Sequence, residues 1–177
     1  MTAIGELMQQ LQLDWSVPRA ARHGGRLVPV PLTCTFSLPA TETELSVATW
    51  ATSVPQPLRD FWLTGNGASL FEDLEYGQWG LRVLSISEAL EKTIRFTTDR
   101  SEDCRQGDVV IGSFLGDSDQ LLIRCDPSNG DYGCVLIALP LDERSEWDLV
   151  APSFEAFLIA YTDAHGDKFW RRSQQSH

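Results

Sequence analysis

The sequence has little of what catalytic and metal centres are usually built from. It holds three histidines, His23, His165 and His177, and four cysteines, Cys34, Cys104, Cys125 and Cys134. The cysteines follow no C-x-x-C spacing, and with the histidines they offer no zinc register. No serine stands in a G-x-S-x-G elbow, and neither an H-E-x-x-H pair nor a P-loop occurs. The acids Glu72, Asp73 and Glu75, and the pair Asp117 and Asp119, lack the register of an EF-hand loop. His165 falls at a helix end, where the helix dipole explains it without catalysis. These absences argue against an enzyme, a metal or a cofactor, and a small Cys- or His-dependent hydrolase is the weakest reading kept. No apolar run approaches the ~20 residues that cross a bilayer. Met1-Thr2-Ala3-Ile4-Gly5 does not open a signal peptide, so a cytoplasmic protein with reduced thiols is the expectation.

What is present is a core and a surplus of negative charge. The length of 177 residues suits one domain. A hydrophobic content of 42%, with six tryptophans and eight phenylalanines, supports packing without disulfides or metal. The formal net charge is −11. Residues 1–41 carry three arginines against two acids, a balance of +1, whereas the rest carries 11 basic against 23 acidic side chains, a balance of −12. Such a body repels nucleic acid and anionic membrane and suits a basic protein partner. Acidity of this kind also serves solubility alone.

Ile4, Leu7, Met8 and Leu11 recur at helical spacing and predict a short amphipathic helix over Met1–Leu13. Pro18, Gly24, Gly25, Pro29, Pro31 and Pro39 then predict a linker, an edge strand around Leu27–Phe36, or an arm that packs on the body. Residues 1–40 are accordingly set apart as an extension, and residues 41–177 as the domain. There, a helix is predicted over Thr41–Ser53, with Ala48 and Trp50 among its apolar positions and Pro55 and Pro57 ending it. Others follow over Leu58–Thr64, over Ser87–Ile94 behind a Ser85/Glu88 capping box, and after Ser153. In the last, Phe154, Phe157, Leu158 and Tyr161 keep helical spacing up to Gly166.

Gly80–Ile86, Val109–Leu115, Gln120–Cys125 and Gly133–Leu139 read as strands. The last three make two hairpins, closed by residues 116–119 and 126–132, the second with an Asn129-Gly130 pair able to take positive φ. Helices before and after such a meander give an α+β fold, with helices covering one face of the sheet and the other partly open.

Several stretches resemble the SUKH superfamily, which includes the yeast Smi/Knr cell-wall-synthesis regulators and many bacterial immunity proteins. LRDFWLTGNGASLF (58–71) resembles its short helix and Asn-Gly turn, and GLRVLSISEALEK (80–92) its next strand and capped helix. GDVVIGSFLGDSDQLLIRCDP (107–127) and GDYGCVLIALPL (130–141) resemble its central hairpins, and PSFEAFLIAYTDAHG (152–166) its closing helix. The resemblance covers Thr41–Phe169. It implies a curved, mostly antiparallel sheet that serves as a protein-binding platform, bacterial members neutralising toxins and yeast members acting as scaffolds. It brings no catalytic residues. The positions it carries over are structural: Asn66 and Gly67, Gly112, and the hairpin residues Gly130, Tyr132 and Gly133.

Candidate partner-binding residues are acids. Asp99, Glu102 and Asp103 precede the meander, Asp117 and Asp119 stand in its first turn, and Asp126 and Asp131 stand in its second, at the opposite end of the shared strand. Aspartate favours turns for its local hydrogen bonds. The functional reading is that one cluster, with Tyr132 or Trp79 as aromatic anchor, contacts a basic partner. Trp79, near Gly77 and Gly80, is expected at the surface. The expectation is a non-catalytic immunity protein, monomer or dimer, that neutralises a cognate toxin; an intracellular scaffold of the same superfamily is the alternative.

Overall fold

The computed structural model describes residues 1–47 and 53–171. The Thr2 hydroxyl caps the first helix, α1 (Ala3–Trp15), by accepting from the Gly5 amide, and Ile4, Met8, Leu11 and Trp15 form its buried stripe. The proline-rich stretch leaves a small hairpin, β1 (Arg22–His23) with β2 (Arg26–Leu27), and then an edge strand, β3 (Leu32–Phe36). α2 (Glu42–Val47) is capped by Thr41, whose hydroxyl accepts from the Glu44 amide at 3.1 Å. Ala48 and Trp50 of the predicted helix lie outside the described residues. Pro57 sits in the first turn of α3 (Gln56–Thr64) and so begins a helix, since a missing N–H costs nothing there.

β4 (Ala68–Asp73), β5 (Leu81–Val83), β6 (Asp108–Phe114), β7 (Gln120–Arg124), β8 (Val135–Ala138) and β9 (Asp148–Ala151) follow. With β3 they form a seven-stranded sheet in chain order, each pair antiparallel. The α+β meander is present, and longer than the sequence pattern indicated. β4 and β9 went unread: β4 is interrupted at Phe71, which takes φ 53°, and β9 is four residues beside a charged loop. The strand expected over Gly80–Ile86 shrinks to Leu81–Val83 because Ser85 already caps the next helix.

That helix, α4 (Ile86–Asp99), opens on the capping box of Ser85 and Glu88 and runs past Ile94, so Asp99 is its last residue. α5 (Phe154–Asp163) is capped by Ser153 and buries Phe154, Phe157, Leu158 and Tyr161. α1, α3 and α5 pack on one another and share one core with the sheet, Phe61 meeting Phe154 edge-on at 5.4 Å. α4 packs apart from them, on β6, where the Thr93 hydroxyl accepts from the Val110 amide beside a bulge. Thr35, Ser69, Arg82, Ser113 and Gln120 stand in register across five strands as a partly exposed polar strip.

The carried-over turn residues have definite tasks. Asn66 Oδ1 accepts from the first amide of α4, that of Ile86, at 2.9 Å, and so ties the turn after α3 to the start of α4; Gly67 beside it takes φ 109°. A Cβ at Gly112 would lie 3.0 Å from Leu81 Cδ1 and 3.1 Å from the Arg82 carbonyl, so the close strand approach there needs glycine. In the second hairpin Gly130 lies in the turn, and Gly133 is the glycine that takes the left-handed conformation, at φ 86°, as its amide turns back to the Arg124 carbonyl.

Candidate functional site

At one end of the sheet, the β6–β7 turn, the loop before β5, the β1–β2 hairpin and the segment after α5 enclose a cavity of about 330 Å³. Its walls carry His23, Trp79, Phe114, Asp117, Tyr161, Lys168 and Arg171. The loop before β5 is shaped by Asp73, which is 2% exposed. Its carboxylate accepts from the amides of Glu75, Tyr76, Gly77, Gln78 and Trp79 at 2.5–3.2 Å. Burial alone would push this carboxyl up, but the amides of Tyr76, Trp79, Gln78 and Gly77 together hold it below its usual range. Trp79 is thereby folded against the core, half-buried, where the sequence led one to expect exposure. The signal for this cage, an acid heading a short Gly-containing loop, was in the sequence and went unread.

The backbone is strained around the cavity. Phe71 and His165 take φ of 53° and 51°, a region that costs a non-glycine residue about 1–3 kcal/mol. Both lean on Trp15, with ring centroids at 4.9 and 5.1 Å. His23 Nε2 bonds the His165 carbonyl at 2.9 Å, tying the N-terminal hairpin to the segment after α5.

The first-turn acids are taken up by cations of the same chain. Lys168 Nζ lies 2.5 Å from Asp117 Oδ2 and 2.6 Å from Asp119 Oδ2, above the Phe114 ring. Arg171 Nη2 donates to Asp119 Oδ2 at 2.9 Å, and Asp119 is buried.

The other two acid groups are brought together by arginines. Arg100 Nη2 donates to Asp103 at 2.8 Å, and the Arg144 amide donates to the same carboxylate at 3.0 Å. Arg144 also binds Asp108, which binds Arg124 at 2.7 Å, and Arg124 Nε reaches Asp131 at 2.9 Å. Trp147 lies against this network, with the Arg144 and Arg100 guanidinium carbons 5.1 and 5.4 Å from its ring centroid. Asp126 is held in its own turn by Ser128 and Asn129, and Tyr132 is partly exposed beside it. Asp99 and Glu102 are exposed and form no ion pair among the described residues. The Asp103–Arg144 contact brings Glu143 and Glu146, also exposed, to the same region. Asp108, Arg124 and Arg144 were not singled out beforehand, since no local pattern marks residues that meet across strands.

All four cysteines are free, and burial pushes the Cys34 and Cys125 thiols up to about 12. Cys104 is also raised, by burial and then by Asp108, which disfavours the thiolate a nucleophile needs. Among the described residues no helix is long and apolar enough to cross a membrane.

The fold defines the class: an α+β domain built on a seven-stranded antiparallel meander. Residues 39–160 match the SMI1 / KNR4 family (SUKH-1), and the chain belongs to that family. It is also 28% identical over 121 residues to the uncharacterized protein YobM of Bacillus subtilis (strain 168), a match over 67% of this chain and 62% of that protein. The chain thus spans less than two thirds of that relative. His23, Tyr161, Lys168 and Arg171 of the cavity wall lie outside the residues that match the family.

Proposed function

We propose that this protein is a non-catalytic immunity protein that binds and neutralises a cognate toxin with a basic surface. The carrying observation is how its charges are distributed. Among the described residues, ion pairs engage Arg59, Arg82, Arg95, Arg100, Arg124, Arg144, Lys168 and Arg171. Asp99, Glu102, Glu143 and Glu146 are left exposed around the arginine network and outnumber the exposed Arg105 beside them, so the balance of charge there is negative. The network fixes this surface before a partner arrives, which lowers the ordering cost of association. An interface of the usual stable size buries about 1,200–2,000 Å².

The test is co-expression with the product of the adjacent gene, scored by growth. Rescue is expected, together with recovery of a basic protein on purification. No rescue and no basic partner from the native host would remove the reading.

A further inference from the structure

We propose that the cavity below the β6–β7 turn is a receptor site for a guanidinium group, an arginine side chain presented by the basic protein partner. The partner as source of that arginine rests on the reading above; the site itself does not.

Tyr161 carries the argument. Its ring is 1% exposed, stacked on Phe157 at 5.5 Å and edge-on to Phe71 at 5.6 Å. Yet its hydroxyl meets no hydrogen-bond partner among the described residues, while the residue lines the cavity. A phenol this deep ordinarily has its O–H and lone pairs engaged. Here they open on a space large enough for a ligand group.

The surrounding charge sets the sign of that group. Burial is the first cause that disfavours the phenolate, and the Asp167 and Asp117 carboxylates add to it; the described charges around the cavity, Asp117, Asp119 and Asp167 against Lys168 and Arg171, are on balance negative. Lys168 is spent on two carboxylates and the Phe114 ring. A planar cation entering the cavity therefore finds the phenol oxygen as an acceptor and Trp79 as an aromatic wall, and it can share the Asp117 carboxylate that Lys168 and Arg171 already hold. An anion would have to compete with Asp117 and Asp119 for Lys168 and Arg171.

The probe is N-acetyl-arginine methylamide, titrated at constant ionic strength into the full ¹⁵N-labelled chain, with the neutral citrulline analogue and inorganic phosphate as comparisons. The signals read are the Trp79 indole and the Gly166 and Asp167 amides. Saturable shifts with the arginine probe are expected, with none from citrulline or phosphate. Tyr161→Phe should weaken binding about tenfold, the loss of one hydrogen bond to a charged group. The same variant should unfold at the same or a higher denaturant concentration, because the hydroxyl has no hydrogen-bond partner among the described residues. Saturation by phosphate, no saturation by the arginine probe, or an unchanged affinity in Tyr161→Phe would overturn the site. Since the probe needs no partner protein, a chain that binds it but protects against no toxin keeps the site and loses the immunity reading. A chain that protects without binding the probe does the reverse.

Discussion

Gly166 lies so close to Phe71 that a Cβ at position 166 would stand 2.4 Å from the Phe71 Cβ. Gly166 also takes φ 83°, so an added methyl group meets strain and overlap together. The contact joins the end of α5 to the strained residue of β4 and closes one side of the cavity. Gly166→Ala should cost about 2–4 kcal/mol, read as a lower midpoint in urea unfolding with an unchanged slope.

Asp73 organises five amides, and its removal leaves them without an acceptor. Asp73→Ala should destabilise by about 2–4 kcal/mol. The pH dependence has a definite sign. The folded-state pKa lies below the ordinary 3.8, so the contribution is fully present above that value and is lost as pH falls below it. Unfolding measured from pH 6 to pH 2 should show this acid loss in the parent and a shallower one in Asp73→Ala.

Arg124 and Asp108 are each 3% exposed at the side chain, so their ion pair is shielded from salt. Arg124→Ala leaves Asp108 buried with less compensation and should cost about 3–5 kcal/mol. Asp108→Leu added to Arg124→Met should not recover that loss, because Arg144 and Asp131 then lose their ion-pair partners as well. Unfolding of the parent in 0.05 M and 0.5 M salt should give nearly the same contribution from this pair.

The exposed acids should act on the rate of encounter more than on folding. Asp99→Lys with Glu102→Lys should leave thermal unfolding within about 0.5 kcal/mol of the parent. Against a basic partner the same pair should slow association about tenfold or more at low salt. Stopped-flow association over a salt series checks this, and the difference should vanish as ionic strength rises.

Much of the fold was legible because its signals are short-range. Ser85 and Glu88 stand three apart and close a capping box; Phe154, Phe157, Leu158 and Tyr161 share a face because helical spacing puts them there. The central hairpins were legible from their apolar runs and turn residues. β4 was not, because a left-handed Phe71 breaks its pattern and only β3 and β5 on either side hold it extended.

Of the site, the sequence supplied the acids and Trp79 but not which of them remain free. Asp117 and Asp119 are satisfied by Lys168, 51 and 49 residues away along the chain, and Asp103 by an amide 41 residues away. The sequence by itself determined the helix caps, the meander, the net negative charge and the family, since each depends on neighbours within a few residues or on composition. Only the tertiary structure decided which charges cancel, that Trp79 folds inward, and that Tyr161 opens on a cavity. Those outcomes depend on distances between side chains far apart along the chain, and packing alone sets them.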